Sequence, residues 1–486
     1  MTEQRHFLDT FFYPQSIAVV GVSRDPLKTN HNLFANLVKM KFQGRIYPVN
    51  PNITELLGVK AYPRLSAIDD EIDLAVCGVP ARSTLGVIEE CIAKGVRAVV
   101  IVAGGFSEIG EEGKRVQAEI ARLLREAGIR AIGPNALSPI NTANDLIIGF
   151  GPHDRMNRGG ISFIFQSGLY EPRFDWLLFK HNIGICKLID LGNKMDINEV
   201  EALEYLAADP DTRVIAIHME SIAGDGRRFL QIVRDTAVRK PIVVIKSGRT
   251  PAGSRAASSH TGAMVRGSDA VFDAALKQAG AIRAYTLEEF FDYAKTFDIM
   301  VPLKLMGNRI ALATLSGGEG VITTDLCHDR GMAIAQVGAE TFRRLQQVAP
   351  PWEIAPNPFD IGVCGQFHSQ GEVLQAFVEA MSDDEGVDCI AVQMGLSDFM
   401  TSKEQLEPFL GARAKGTPLA VWPIEGLHES ASIVQWLEQS GVPVYLTAER
   451  MLKSFSALHR YSLMAERIGM EGAVQQSGGS PTGGPR

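Results

Sequence analysis

The sequence is sparse in cysteine and has no long apolar segment. Its 486 residues include no CxxC pair and no stretch of 18 apolar residues, and the polar N-terminus lacks the apolar core of a signal peptide. Zinc sites and redox motifs require closely spaced thiols, so both are excluded, and scattered thiols favour a reducing, cytoplasmic location. The missing apolar runs predict a soluble chain without a membrane partner. The cysteines are Cys77, Cys91, Cys186, Cys327, Cys364 and Cys389.

Basic character is also lacking. The formal net charge is −8 and no long basic run occurs, so nucleic acid and anionic membrane surfaces are not expected partners. Hydrophobic residues make up 45% of the chain and charged residues 21%, which is typical of a globular protein. A chain of 486 residues is too long for one hydrophobic core, and its length predicts about three domains.

Two nucleotide-binding motifs are absent. The chain has no Walker sequence, and its first strand-to-helix turn reads Gly21-Val22-Ser23 where a dinucleotide fingerprint would read GxGxxG. This argues against ordinary NAD binding. A small Gly-x-Ser turn still lets backbone amides approach a phosphate at a helix start, and Arg24 and Lys28 add positive charge there.

Short apolar runs alternate with helical patterns in three rounds along the chain. In the first round, residues 17–20, 74–77 and 98–102 are such runs. Strands that alternate with helices predict a parallel sheet covered on both faces, with ligands beyond the carboxyl ends of the strands. The predicted fold class is therefore α/β with three doubly wound domains, residues 1–145, 146–302 and 303–465, followed by a disordered tail at 466–486.

The strongest candidate for chemistry is His260. It lies within SSHTG at 258–262, shortly after the apolar run 241–245. A histidine packed in a core would not be expected among small and hydroxylated neighbours. Such neighbours are instead typical of a side chain that is accessible and able to move. Imidazole attacks phosphorus readily and leaves readily. We interpret His260 as a phosphoryl-transfer nucleophile, against the alternative of an isolated structural histidine.

Two other features of the second round suit the same chemistry. Gln166-Ser167-Gly168 follows the apolar run 161–165 and predicts a tight turn whose amides could hold a phosphoryl group. Glu220 follows the run 214–219, and a carboxylate at a strand end can orient an imidazole. The alternative for Glu220 is a surface glutamate. In the third round, SGGEG at 316–320 lacks the Gly-Lys-Ser/Thr ending of a Walker motif, so we expect a structural role there.

Several segments together resemble one family. KSGRT at 246–250, SSHTGA at 258–263 and GSD at 267–269 are similar to the phosphohistidine segment of the NDP-forming acyl-CoA synthetases, of the ADP-forming acetate–CoA ligase type. These are relatives of the succinyl-CoA synthetase α chain. The resemblance extends over roughly residues 8 to 460. It implies an N-terminal Rossmann-like CoA-binding domain followed by two flavodoxin-like ligase domains.

The turns of the first domain resemble a CoA-binding domain. They read GVS at 21–23, YPVNP at 47–51, VPA at 79–81, AGGF at 103–106 and GPN at 133–135. The alternative is that these glycines and prolines only punctuate turns. The resemblance implies that CoA, as a substrate, contacts Gly21, Ser23, Arg24, Lys28, Val49, Asn50, Val79, Pro80, Ala103 and Asn135.

The resemblance also implies a mechanism. His260 would carry the phosphoryl group and Glu220 would orient its ring. No segment resembles an ATP-grasp domain, so a separate β subunit would hold Mg²⁺ with ADP or ATP in an α2β2 assembly, and no metal site is expected in this chain. The substrate would be a small carboxylic acid or its acyl-CoA. The implied phosphate-binding residues are Gln166, Ser167, Gly168, Ser259, Thr261 and Gly262.

The chain departs from the family pattern at two places. Ala136 stands where relatives commonly have cysteine after Gly-Pro-Asn, and residues 169–173 read LYEPR where relatives have small residues. The second change alters either substrate shape or the geometry of phosphate capture, and we expect it to disfavour the smallest acids. Two alternatives stay open: a related acyl or carbamoyl transferase that does not phosphorylate histidine, and a non-catalytic CoA-sensing protein, which these departures suggest.

Overall fold

The computed structural model describes residues 6–173, 177, 182–261, 268–300, 303–396, 403–424 and 431–477, with the backbone alone for 172–173, 258–261, 431 and 470–477. The chain divides into two compact units, Met1–Tyr285 and Thr286–Arg486. Among the described residues, the first unit contains two large sheets and a separate two-stranded pair, and the second unit contains one sheet. Parallel sheets with intervening helices confirm the predicted α/β fold class.

The first sheet is parallel throughout the described residues, in the order β2-β1-β5-β6-β7. The strands at its centre are buried along their whole length, because helices cover both faces and a continuous apolar run is then stable. The strands are β1 (Ser16–Val20), β2 (Arg45–Val49), β3 (Glu55–Leu56), β4 (Val59–Lys60), β5 (Leu74–Cys77), β6 (Ala98–Ile101) and β7 (Arg130–Ile132). The helices are α1 (Asp9–Phe12), α2 (Thr29–Lys39), α3 (Ala81–Lys94) and α4 (Glu111–Glu126).

The strand order of this sheet reverses at β1, which lies between β2 on one side and β5 on the other. In open α/β sheets the crevice outside such a reversal is the usual place for a ligand. The antiparallel pair β3 and β4 is a separate hairpin. Gly95 ends α3 in the left-handed conformation at φ 73°, as expected for a glycine just past a helix.

The second sheet has the order β14-β13-β12-β10-β11-β8-β9, parallel except for the edge strands β8 and β9. An Asn198–Glu201 capping box fixes the start of helix α5. The strands are β8 (Ile140–Asn141), β9 (Leu146–Ile147), β10 (Arg158–Phe165), β11 (Ile185–Asp190), β12 (Val214–Met219), β13 (Ile242–Lys246) and β14 (Ile282–Ala284). The helices are α5 (Glu199–Ala208), α6 (Gly226–Ala237), α7 (Pro251–Thr261) and α8 (Asp269–Ala279).

The described elements depart from the predicted domain boundaries at 145 and at 302. The predicted end of the first domain at 145 falls between β8 and β9, which both belong to the second sheet because β8 pairs with β11. Helix α9 (Leu287–Met300) was predicted in the second domain, but it packs on the C-terminal helix of the second unit. Sequence alternation detects neither point, because it does not show which sheet a short edge strand or terminal helix joins.

The second unit has the sheet order β16-β15-β18-β19, with β17 also paired to β15. Its strands are β15 (Arg309–Thr314), β16 (Ala333–Ile334), β17 (Phe359–Asp360), β18 (Cys389–Met394) and β19 (Leu419–Pro423). Its remaining helices are α10 (Gly317–Asp329), α11 (Ala339–Gln346), α12 (Ile361–Cys364), α13 (Gln370–Ser382), α14 (Glu407–Ala414), α15 (Ala431–Gln439) and α16 (Ala448–Ser477).

The C-terminal tail is shorter than predicted. Helix α16 continues to Ser477, so residues 466–477 are helical where a disordered tail was expected, and residues 478–486 lie outside the described residues. The Gly-Ser-Pro composition begins only after this helix, which is why a tail starting at 466 was wrong. All six cysteines are buried and unpaired. Among the described helices, none combines the length and apolarity that a membrane crossing requires.

Candidate active site

The predicted CoA-contacting turns lie at one edge of the first sheet. Each follows the carboxyl end of a parallel strand, so parallel pairing alone brings them together. Gly21, directly after β1, has φ 89°, and a Cβ there would lie 2.7 Å from Val79 Cγ1. The turn after β1 therefore requires glycine both for its backbone conformation and for its close approach to the turn after β5.

The loop between β1 and α2 presents positive charge. Arg24 and Lys28 are both exposed. Lys28 occupies the N-cap position of α2, but its side chain makes no hydrogen bond to the backbone of the helix. Ser23 is half-buried, and its carbonyl oxygen lies 2.8 Å from Nδ1 of His31. The loop thus combines two exposed cations with a helix start, an arrangement that suits a phosphate group.

Two predicted CoA-contacting asparagines hold the turns themselves. Asn50 donates from Nδ2 to the Val22 carbonyl at 2.7 Å, which links the turns after β2 and β1. Asn135 has φ 61°, and its N–H donates to the Ala103 carbonyl at 2.9 Å, which links the turns after β7 and β6. The other predicted members differ in exposure: Val49 is buried, Val79 and Ala103 are half-buried, and Pro80 is exposed at the start of α3.

The second sheet presents a buried polar cluster at the carboxyl ends of its strands. Gln166, directly after β10, is 4% exposed. Its Oε1 accepts hydrogen bonds from Glu220 N at 2.8 Å, Ser221 N at 3.2 Å and Lys194 Nζ at 3.0 Å. The predicted phosphate turn and Glu220 are therefore neighbours, joined by a bond from the Glu220 backbone N–H to the side-chain oxygen of Gln166. Ser167 and Gly168 follow Gln166 and are half-buried.

Lys194 is the charge at the centre of this cluster. Its side chain is 5% exposed, and Nζ lies 3.0 Å from Glu199 Oε2 and donates to the Ser221 carbonyl at 2.7 Å. Burial lowers the pKa of Lys194, although the carboxylates of Glu199 and Glu220 act in the opposite direction. Glu199 in turn accepts from Ala223 N at 2.6 Å and Gly224 N at 3.0 Å. The pair fixes the loop that follows Glu220.

Glu220 and His218 occupy different positions at the end of β12. Glu220 follows the strand directly and is 7% exposed. His218 lies within the strand, contacts Ser247 Oγ through Nε2 at 2.8 Å, and has no hydrogen-bond partner at Nδ1 among the described residues. Burial lowers the pKa of His218 to about 4, with the Lys194 charge acting in the same direction. A histidine held neutral in this way does not carry the charge of the cluster.

The predicted phosphohistidine segment is described only in part. Helix α7 ends at Thr261, so Ser259, His260 and Thr261 lie in its last turn, while their side chains and all of Gly262 lie outside the described residues. The helix lies beside the Ser107–Ile109 turn of the first sheet. The helix that bears His260 therefore lies next to the segment that follows the AGGF turn.

The loop at residues 191–195 connects the two strand-end edges. Asn193 N donates to the Pro134 carbonyl at 2.9 Å, and Met195 N donates to the Gly133 carbonyl at 3.0 Å. A Cβ on Gly192 would lie 2.2 Å from the Pro134 oxygen, so only glycine permits this approach. Because the same loop carries Lys194, it joins the turn after β7 to the polar cluster at Gln166.

Asp190 and Glu199 are residues that the sequence analysis missed. Asp190 is fully buried and accepts from Leu137 N at 2.9 Å and Gly192 N at 3.2 Å, which ties the same two segments. Burial raises the pKa of Asp190 to about 7 against the effect of these hydrogen bonds. One sequence signal could have pointed to Glu199, namely its position in the first helical turn after the Asn198 cap. No sequence signal pointed to Asp190, which stands at the end of an apolar run.

The two departures from the family pattern point into the protein. Ala136 is fully buried. Tyr170 is 1% exposed, donates from its hydroxyl to the Leu137 carbonyl, and packs its ring 4.9 Å from that of Phe165. Glu171 has a side chain 8% exposed. No group of three or more His, Cys, Asp or Glu side chains within the described residues could hold a metal ion.

Comparison with known proteins gives consistent similarities. A model described as a CoA binding domain matches residues 15–140, and one described as a succinyl-CoA ligase like flavodoxin domain matches residues 158–297. The chain is 35% identical to acetate–CoA ligase [ADP-forming] II subunit alpha of Pyrococcus furiosus over 93% of this chain and 97% of that protein. It is also 35% identical to acetate–CoA ligase [ADP-forming] II of Archaeoglobus fulgidus, over 94% of this chain and 67% of that protein.

A solved structure agrees with these relatives. The dinucleotide forming acetyl-coenzyme A synthetase 1 of Ca. Korarchaeum cryptofilum, in complex with phosphate and ADP, superposes with a TM-score of 0.83 at 33% identity. The alignment covers 96% of this chain and 98% of that one. Fold and sequence are thus similar along nearly the whole length of the chain.

Proposed function

The chain belongs to the NDP-forming acyl-CoA synthetase family, and from that premise we propose that it interconverts a carboxylic acid, CoA and NTP with acyl-CoA, NDP and phosphate through a phosphohistidine at His260. The observation that carries the proposal is the junction of the two strand-end edges. Residues 191–195 bind the turn at 133–134 and place Lys194 against Gln166. Groups suited to CoA and groups suited to phosphate are therefore adjacent.

The chemistry follows from that adjacency. A phosphate oxygen attacks the thioester carbonyl, the C–S bond breaks, and CoA leaves as the thiol. A nitrogen of His260 then attacks the phosphorus of the acyl phosphate, the P–O bond to the acyl group breaks, and the carboxylate leaves. The phosphoryl group passes to NDP to form NTP. A helix end flanked by serine and glycine suits a segment that travels between two sites.

The described residues have distinct roles in this proposal. Gln166 fixes the backbone of Glu220 and Ser221, and Glu220 orients the imidazole of His260. Amides of the turn at Ser167 and Gly168 hold the phosphoryl group, with Lys194 supplying positive charge behind them. Ser259, Thr261 and Gly262 complete the phosphate contacts. Arg24, Lys28 and the five turns of the first sheet bind CoA.

The nucleotide step belongs to a partner in this proposal. A relative covered over 97% of its length is named subunit alpha, which supports a separate β subunit for this chain too. We assign to that partner an ATP-grasp fold in an α2β2 assembly, where Mg²⁺ bound with ADP or ATP neutralises charge during phosphoryl transfer. A cytoplasmic location fits six cysteines that remain unpaired.

The decisive experiment uses the chain purified with its native partner. The complex is incubated with Mg-ATP, and acid-labile phosphate on His260 is sought by peptide mass spectrometry, with His260→Asn as control. We expect label in the wild type alone and its discharge by an acid together with CoA. A complex that binds ATP and CoA and leaves His260 unlabelled would contradict the proposal and favour the transferase or the CoA sensor.

The discharge step also identifies the acid. Acetate, a longer aliphatic acid and an aromatic acid are compared at equal concentration for the rate at which they remove the label with CoA. We expect the larger acids to exceed acetate, because the segment 169–173 departs from the small residues that relatives have there. A clear preference for acetate would show that this expectation is wrong while leaving the phosphohistidine mechanism intact.

A further inference from the structure

We propose that Glu171 is a positioning residue that holds the turn at 166–168 in register with helix α2, which starts at the Arg24–Lys28 loop, through a strap formed by residues 149–153. The proposal rests on the proposed function, since it concerns how two parts of that site are aligned. It assigns a role to the segment 169–173, whose bulky and charged residues the mechanism does not otherwise use.

The first half of the connection is between α2 and the strap. Asn32 and Asn36 are one turn apart and lie on the same face of the helix. Asn32 Nδ2 donates to the Phe150 carbonyl at 2.6 Å, and Asn36 Nδ2 donates to the Gly151 carbonyl at 2.9 Å. Asn36 Oδ1 accepts from His153 N at 2.9 Å. Asn36 is fully buried, so these bonds fix the strap against the helix that starts in the Arg24–Lys28 loop.

The second half is between the strap and Glu171. Glu171 Oε1 accepts hydrogen bonds from Gly151 N at 3.1 Å and from Phe150 N. Its Oε2 lies 3.5 Å from His153 Nε2, and both side chains are less than a tenth exposed, at 8% and 6%. A buried carboxylate that accepts two backbone N–H bonds is held in place, because each lost bond would leave a half-buried donor without its partner.

The strap packs closely against Glu171 and His153 at its two glycines. A Cβ on Gly149 would lie 2.6 Å from Glu171 Oε1, and a Cβ on Gly151 would lie 3.1 Å from His153 Nε2. The two glycines let the strap backbone approach the carboxylate closely enough for its N–H groups to bond. The strap and Glu171 therefore fit as a unit.

Glu171 lies close to the reacting groups along the chain. It belongs to the short 3-10 helix Gly168–Arg173, which continues directly from the Gln166-Ser167-Gly168 turn. Its neighbour Tyr170 binds the Leu137 carbonyl, and a Cβ on Gly168 would lie 3.4 Å from Leu137 Cδ1. A shift of Glu171 therefore moves the phosphate turn relative to both α2 and the turn at 133–137.

The test separates the two halves of the reaction in the intact complex. Phosphorylation of His260 by Mg-ATP takes place at the partner's nucleotide site. Discharge of the phosphoenzyme by acid and CoA requires CoA and phosphate groups in register. We expect Glu171→Ala to leave the first rate within about twofold and to slow the second by about 10–100-fold, since a displacement of about 1 Å has effects of this size.

Conservative and matched variants keep the effect specific. Glu171→Gln retains an oxygen that accepts both strap N–H groups, so discharge should recover to within about threefold of wild type. The matched control is Tyr205→Phe, which removes the 2.9 Å hydrogen bond from the Tyr205 hydroxyl to Asp9. This bond involves neither the strap nor the segment 168–173, so the variant should change neither the phosphorylation rate nor the discharge rate. Should Glu171→Ala fail to fold, Asn32→Ala carries the test, with a smaller slowing of discharge alone.

A double variant tests whether the strap is the connection. With Asn32→Ala and Glu171→Ala combined, discharge should be no slower than with Glu171→Ala alone, because both act through one strap. Equal effects on both half-reactions, no rescue by glutamine, or additive losses would overturn the proposal. A wild-type complex that never labels His260 would instead overturn the proposed function, so the two failures are distinguishable.

Discussion

The two halves of the candidate site are built in different ways. The edge of the first sheet proposed to bind CoA (the CoA edge) consists of turns held by backbone geometry, with Gly21 at φ 89° and with exposed cations at Arg24 and Lys28. The edge of the second sheet proposed to bind phosphate (the phosphate edge) consists of buried side chains, with Lys194 and Glu199 paired at 3.0 Å and both under a tenth exposed. The structure of the first edge is maintained by backbone conformation, and that of the second by buried, paired charges.

The difference shows how each edge responds to change. Exposed cations next to water contribute little to folding and act mainly on ligand binding, because solvent screens them. Buried charges depend on their partners, because an unpaired charge cannot remain in the interior without a large penalty. We therefore expect variants at the phosphate edge to affect stability and activity together, and variants of the cations at the CoA edge to affect CoA binding alone.

The largest effect is expected at the buried pair. Lys194→Met leaves Glu199 charged and unpaired, and should lower the free energy of unfolding by about 3–5 kcal/mol, measured by chemical denaturation. The double variant Lys194→Met/Glu199→Gln should lose less than the sum of the two single variants, because it removes both charges. A single variant as stable as wild type would remove the distinction between the two edges.

An intermediate effect is expected at the turn after β1. Gly21 and Gly58 both have positive φ, at 89° and 81°, but a Cβ meets Val79 at the first and nothing within 4 Å at the second. Gly58→Ala should lower stability by about 1–2 kcal/mol through backbone strain alone. Gly21→Ala should lower it by about 1–3 kcal/mol more, through overpacking, and weaken CoA binding. Thermal unfolding measures the stability of each variant, and titration measures its affinity for CoA. Equal losses of stability in the two variants would exclude the close approach of Gly21 to Val79 as a cause.

The smallest effect is expected at the exposed cations. Arg24→Ala with Lys28→Ala should raise the Kd for CoA roughly threefold to tenfold at low salt and leave unfolding unchanged. The effect should shrink at 0.5 M salt, where screening is stronger (the Debye length falls to only about 4 Å). Lys39→Ala, at the opposite end of the same helix, is the matched control. A loss as large for Lys39→Ala would show that overall charge, and not the loop, attracts CoA.

The sequence predicted the positions of the turns better than it predicted the contacts between buried side chains. A glycine such as Gly21 is required by local backbone conformation, so the residue itself marks the turn. The importance of Glu199 and Asp190 depends on neighbours far along the chain: Asp190 binds Leu137, and Glu199 binds Lys194, Ala223 and Gly224. Burial at such positions follows from packing, which a linear pattern does not show.

The segment 169–173 is the clearest case of an ambiguous sequence. Its composition left open a change in substrate shape or in phosphate capture. In the structure, Tyr170 is in the core and Glu171 is bound to the strap, so both side chains point into the protein. Sequence distance explains the ambiguity, because the partners of Glu171 lie 20 and 21 residues away.

The sequence by itself determined the α/β class, the succession of strands and helices, and the turns that carry the family resemblance, because period and turn chemistry are local. Only the tertiary structure decided which sheet β8 and β9 join, that α16 continues to Ser477, and that Lys194 is a buried ion-pair partner of Glu199. Those outcomes depend on strand pairing and on which surfaces lose water, and both are properties of the folded chain as a whole.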